Sequence, residues 1–111
     1  MTRYCMTLDL KDDPKLVDEY VRWHREVWDE VKDSLLQSGV SGLEIYLLGN
    51  RLCMIMETDD SFSFERKAEM DAANVRVQEW EELMWRYQQA LPGAKPGEKW
   101  MLMENIFSLA G

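Results

Sequence analysis

Near the middle of the chain, the stretch EIYLLGNRLCMIMET sets two apolar runs, Leu43 to Leu48 and Leu52 to Glu57, on either side of Gly49-Asn50-Arg51. Short apolar runs parted by a Gly-Asn turn read as an antiparallel hairpin. In a chain of 111 residues a central hairpin restricts the fold sharply, because its apolar face must be buried by the segments before and after it. Before it, Tyr4 to Leu10 alternates Tyr, Met, Leu and Leu against Cys, Thr and Asp, the period of a strand with one buried face.

Between that strand and the hairpin, Asp12-Asp13-Pro14 opens a helix, with Asp13 placed to cap and Pro14 suited to the first helical position. The periodicity predicts one helix to about Ser38. Its inward stripe is Leu16, Tyr20, His24, Val27, Val31 and Leu35, and Gly39 ends it in the left-handed conformation. After the hairpin, Asp59-Asp60-Ser61 and Ser63 precede a second helical region, with Ala72-Ala73-Asn74 as a point of interruption. Val77, Trp80, Met84, Tyr87 and Leu91 then recur at spacings of three and four, and Pro92-Gly93 stops the pattern. A loop, GAKPGEK, leads to a last strand, Trp100 to Leu109.

The order β-α-β-β-α-β is the ferredoxin-like pattern. It predicts a single α+β domain over 1–111, with two helices on one face of a four-stranded antiparallel sheet. The last strand is apolar on both sides: Trp100, Leu102 and Ile106 on one, Met101, Met103 and Phe107 on the other. Such a strand expects cover on both sides. One chain has helices for only one face, so the expected assembly is a homodimer, a dimeric α+β barrel.

A hydrophobic share of 46 % allows one ordinary core. Twenty-one acids against 13 bases give a net charge of −8. With the bases scattered among acids, the surface repels phosphodiester backbones, which argues against nucleic acid and anionic membrane as partners. The start, MTRYCMTLDL, lacks the apolar core of a signal peptide, and no run approaches membrane-spanning length. Cys5 and Cys53 stand alone in strand-like stretches without metal or redox spacing. They read as packed thiols of a protein in the reducing cytoplasm.

The chemistry centres on EYVRWHREVW, residues 19–28, which holds the chain's single histidine, His24. A histidine on an apolar stripe is ordinarily a satisfied core residue. Three features favour a reactive one. His24 alone among these side chains has an ordinary pKa that permits both giving and taking a proton near neutrality. On a continuous helix, Tyr20 and Trp28 share its face and reach one pocket. The chain is also aromatic-rich while acidic, which suits a neutral polyol: aromatic rings stack on sugar C–H faces, and carboxylates accept from hydroxyls. Trp80 and Trp85 at helical spacing are equally at home in a core. One histidine and no paired cysteines give little basis for a metal site, and no phosphate loop or nucleophile elbow is present.

Tyr20-x-x-x-His24-x-x-x-Trp28, the EIYLLGNRLCMIMET hairpin, the Trp80 region and the closing ENIFSL, in this order and spacing, resemble the L-rhamnose mutarotase family. Members are small dimeric ferredoxin-like proteins that interconvert sugar anomers without cofactor or metal. The resemblance covers almost the whole chain. It implies that His24 is the proton donor and Tyr20 a substrate contact, with Trp28 and Trp80 beside the sugar. Two positions depart from the rhamnose-binding pattern. Trp80-Glu81 stands where those members carry a Trp-Trp pair, and Leu43 stands where they have a Tyr. A carboxylate in place of an indole supplies an acceptor for a differently oriented hydroxyl, so Glu81 points to L-fucose ahead of L-rhamnose. Two other readings share the fold: a haem-binding or monooxygenase-type dimeric barrel, and a non-catalytic dimer.

Overall fold

The computed structural model describes residues 1–110. In chain order its elements are β1 (Thr2–Leu10), α1 (Pro14–Trp23), α2 (Asp29–Ser38), β2 (Val40–Leu48), β3 (Arg51–Thr58), α3 (Phe64–Ala72), α4 (Val75–Trp85), β4 (Gln88–Gln89) and β5 (Met101–Leu102). The sheet runs β2-β3-β1-β4, with β5 also on β1 and every pairing antiparallel. This is the ferredoxin-like arrangement, with its fourth strand position shared by the short β4 and β5.

Local chemistry explains most boundaries. The Asp13 carboxylate accepts the Lys15 N–H at 2.9 Å, and Pro14 takes the first turn of α1. Gly39 ends α2 at φ 101°, where a Cβ would stand 2.7 Å from Asp59 Oδ1. The hairpin closes through Gly49-Asn50, with Leu48 opposite Arg51. Asn74 interrupts the second helical region as the N-cap of α4, its side chain accepting from Arg76 and Val77 N–H.

Three expectations are corrected. The first helix is two helices, broken over residues 24–28. At Trp28 the backbone leaves the helical region (φ −58°, ψ 138°), and Asp29 and Glu30 then occupy the first turn of α2, where the helix dipole favours acids. The inward stripe survives the break, since Tyr20 and Val31 are both buried in one cluster. The second helix ends at Trp85 rather than near Leu91. Gln88 and Gln89 pair with Leu10 and Asp9, and the Lys11 N–H donates to the Tyr87 carbonyl at 2.8 Å, so sheet hydrogen bonds replace further helical ones. The last strand is regular only at Met101–Leu102. Met103 adds one bond, its N–H to the Cys5 carbonyl at 2.8 Å. Beyond it Ile106 and Phe107 are 89 % and 75 % exposed.

Alternation along β1 and β3 separates the two faces. Met6, Leu8, Leu10, Leu52 and Met56 are buried on the side of α1–α4, where Tyr20, Val31, Trp80, Met84 and Tyr87 complete the main cluster. Cys5 and Cys53 lie on the opposite side, their sulfurs 3.4 Å apart and unbridged. Strand register thus joins two cysteines that are 48 positions apart in sequence.

Candidate active site

Between the helices and the sheet lies a cavity of about 660 Å³, lined by residues from β1 to β5 and all four helices. Its apolar floor comes from alternating sheet residues such as Met6, Ile45, Met54 and Met56. Leu43 lies on the same wall, so its departure from the family pattern sits at the cavity surface.

His24, at the C-cap of α1, is half-buried at the cavity. Its Nδ1 is 2.8 Å from the Tyr20 carbonyl oxygen. A carbonyl only accepts, so Nδ1 carries the proton, and Nε2 remains as the nitrogen with a free lone pair. Burial lowers the imidazole pKa below its ordinary value, and the bond to the Tyr20 carbonyl opposes that shift in part. At neutral pH the ring is therefore poised as a base.

Tyr20 is buried against His24, ring centroids 4.4 Å apart. Its hydroxyl accepts from Gln88 Nε2 at 3.3 Å, which leaves its own proton free to donate. Burial raises its pKa, against the opposing effect of Gln88, so the group stays a neutral donor. Trp80 forms a wall, held edge-on by Trp23, His24 and Trp28 with centroids 6.3, 5.7 and 5.1 Å away. Glu81 follows on the cavity surface, half-buried.

The structure thus brings Tyr20, His24, Trp80 and Glu81 to one cavity. It leaves Trp28 out of the cavity lining: this ring packs against Trp80, centroids 5.1 Å apart, with the Arg76 guanidinium 4.1 Å from its centroid. Trp85 also sits outside the cavity wall, 38 % exposed, with Lys99 Nζ 5.2 Å from its ring. Sequence reasoning missed Gln88, hidden in a strand of two residues, and the ion pair between Lys67 and Asp71 on α3. The pair did carry a signal. Phe64, Lys67 and Asp71 follow the i, i+3, i+7 spacing of an inward stripe, so two charges stood where apolar residues are expected. Among the described residues, no three His, Cys, Asp or Glu side chains cluster as metal ligands, and no helix is long and apolar enough to cross a membrane.

Known proteins match along the whole chain. An L-fucose mutarotase of Xanthomonas campestris pv. campestris is 50 % identical over 112 residues, covering 99 % of this chain and 90 % of that protein. The crystal structure of an L-rhamnose mutarotase from Formosa agariphila superposes with a TM-score of 0.72 at 22 % identity, covering 98 % of this chain and 99 % of that one. A dimeric ferredoxin-like protein from an uncultured marine organism follows with a TM-score of 0.54 at 12 % identity, covering 96 % and 90 %. At these identities the two structures speak to the fold alone. The family model for L-rhamnose mutarotase matches residues 3–109, and with half of all positions shared with one curated relative, the chain belongs to the L-rhamnose mutarotase family.

Proposed function

We propose that the protein is a cytoplasmic sugar mutarotase that interconverts the α and β anomers of a 6-deoxyhexose, L-fucose ahead of L-rhamnose, with His24 transferring the proton. The observation that carries this reading is the His24 tautomer. Its Nδ1–H is engaged by the Tyr20 carbonyl at 2.8 Å, so Nε2 is the nitrogen available at a cavity walled by Tyr20 and Trp80. The identity of 50 % to an L-fucose mutarotase and the Glu81 carboxylate at the cavity support fucose as the preferred sugar.

The reaction follows from these groups. Nε2 takes the proton of the anomeric hydroxyl while a second acid, a water or a carboxyl group, gives one to the ring oxygen, and the bond between C1 and the ring oxygen breaks to give an aldehyde and a C5 hydroxyl. The aldehyde turns about C1–C2. The C5 oxygen then adds to its other face, the C5 hydroxyl returns its proton to that second group, and the Nε2–H of the imidazolium protonates the new anomeric oxygen. No net proton is consumed. The Tyr20 O–H, freed for donation by the Gln88 contact, is suited to hold a sugar oxygen. Trp80 offers its indole to a C–H face.

A homodimer accounts for the surface that one chain leaves open. Ile106, Phe107 and Leu109 extend beyond β5 with 75–90 % of their surface exposed, and the Cys5/Cys53 face of the sheet carries no helix. A second copy that pairs with the tail and covers this face removes both exposures. Static light scattering at micromolar concentration should give twice the chain mass; a monomer there would overturn the assembly.

Saturation-transfer NMR on anomeric protons tests the activity across L-fucose, L-rhamnose, D-galactose and D-glucose. Catalysed exchange is expected to be fastest for L-fucose. No acceleration with any of the four sugars would sink the mutarotase reading.

A further inference from the structure

On α3, Lys67 Nζ and Asp71 Oδ2 are 2.6 Å apart, with side chains only 24 % and 14 % exposed, and both line the cavity. Helix electrostatics does not explain the pair. Asp71 lies in the last turn of α3, where the helix dipole disfavours an acid, and that turn contains no basic residue. Lys followed by an acid at i+4 is also the weaker order for helix stabilisation. Nor is this a solvated ion pair on the outer surface, since both groups are largely withdrawn from water. Its setting is the cavity.

The pair and the imidazole reach α4 from different sides. His24 meets α4 at Trp80, ring centroids 5.7 Å apart. Asp71 meets it at Gln78, whose Nε2 donates to the Asp71 carbonyl at 2.8 Å and to Glu81 Oε2 at 3.5 Å. That contact is to the Asp71 backbone; its carboxylate turns to the cavity with Lys67. Because α3 packs on α2 and α4, the cavity has a proton-transfer end on α1 and a charged end on α3, with Glu81 of α4 between them.

We propose that Lys67 and Asp71 form a diol clamp, a specificity-determining pair that holds two neighbouring hydroxyls of a neutral aldose on the ring edge farthest from its anomeric carbon. This rests on the mutarotase reading above. An ammonium has three protons, and one is used on Asp71 Oδ2. Among the described residues, the other two protons and Asp71 Oδ1 have no partner, so the pair offers free donors and an acceptor side by side. Vicinal hydroxyls match that: the C3 hydroxyl accepts from Lys67 Nζ, and the C4 hydroxyl donates to Asp71 Oδ1. With the anomeric carbon at His24, a pyranose turns its C3 and C4 hydroxyls away from the imidazole, toward α3. L-Fucose and L-rhamnose share the C3 configuration and differ at C2 and C4, so a clamp at C3–C4 senses one of the two centres that distinguish them. The pair is neutral as a whole, which fits an uncharged sugar rather than a sugar phosphate.

The test uses anomer exchange of the intact protein with L-fucose and 4-deoxy-L-fucose, for wild type, Lys67→Gln and Asp71→Asn. The 4-deoxy sugar should raise the wild-type KM about tenfold to a hundredfold, the effect of one hydrogen bond to a charged group. Each substitution should raise the KM for L-fucose similarly and leave kcat within about twofold; Tm should fall as well, because either change strands a largely buried charge. In Asp71→Asn the 4-deoxy penalty should largely vanish, because the two changes remove the same contact. A purely structural ion pair would move Tm and leave the sugar dependence as it was. Equal wild-type KM values for the two sugars overturn the clamp without any substitution being made, and leave the mutarotase reading standing. Absence of wild-type exchange with every sugar overturns both.

Discussion

The α1 and α3 ends of the cavity each place an ionisable side chain where water is scarce, and they meet its desolvation differently. His24 stands without a charged partner; burial favours its neutral form, and a backbone carbonyl fixes which nitrogen keeps the proton. Lys67 and Asp71 answer each other at 2.6 Å as an ion pair. Burying a charge is costly unless it is paired, whereas a histidine can discharge itself. The first solution leaves a group that can change protonation during a reaction. The second leaves fixed donors and acceptors. One end is therefore suited to moving protons and the other to holding hydroxyls, and substitutions at the two ends should fail in different ways.

The largest separation is expected from His24→Ala. Losing a general acid–base group typically costs about 10²–10⁴-fold, and the loss should fall on kcat, with KM for L-fucose little changed. Circular dichroism should report an intact fold, since the ring is only half-buried. Near-normal exchange in this variant, or an unfolded chain, would make His24 a packing residue and remove the contrast between the ends.

Glu81, between the ends, should give the next largest effect. Glu81→Trp removes a carboxylate from the cavity surface and restores the Trp-Trp pattern of the rhamnose-binding relatives. A lost hydrogen bond to a charged group is worth about 1.5–3 kcal/mol, so the L-fucose to L-rhamnose preference should shift about tenfold or more toward rhamnose. Parallel kinetics on both sugars with both proteins measure it. An unchanged ratio would assign sugar choice to the α3 end and to Leu43, not to Glu81.

How legible each end was in the sequence follows from the same contrast. His24 is the chain's single histidine and lies on an apolar stripe, so a chemical singularity coincides with a structural period. The sheet order was equally readable, because alternation in β1, the Gly49-Asn50 turn and the caps at Asp13, Gly39 and Asn74 are local signals. Lys67 and Asp71 are ordinary residues in a charged segment, FERKAEMD, and only packing reveals that their face turns inward. Gln88 acquires its role from a long-range pairing with Leu10, which periodicity cannot register. The break at residues 24–28 was missed because the stripe on both sides keeps a helical spacing and no Pro or Gly marks the turn. The last strand failed for another reason. Its alternation is real, but among the described residues no strand pairs with residues 104–109, and alternation alone does not supply a neighbour.

The smallest expected effect concerns pH, and its sign tests whether the α1 end works by burial. An ordinary histidine titrates near 6.5, and desolvation, the larger influence on His24, holds its folded value below that. As the pH falls below about 6.5 the unfolded chain takes up this proton first. Between the two values the unfolded state holds more protons, so this contribution to stability is full above about 6.5 and is lost as the pH falls through the folded value. Activity should share that lower value. A base that must be neutral gives a kcat/KM that rises with pH through the free enzyme's pKa and then levels, so the acid limb should lie below 6.5 with a plateau across neutrality. His24→Ala should remove the matching slope from thermal stability measured over the same range. An acid limb above 6.5 would reverse the sign: it would mean that the protein favours the imidazolium, that a negative group outweighs burial at His24, and that the ring begins the reaction as an acid.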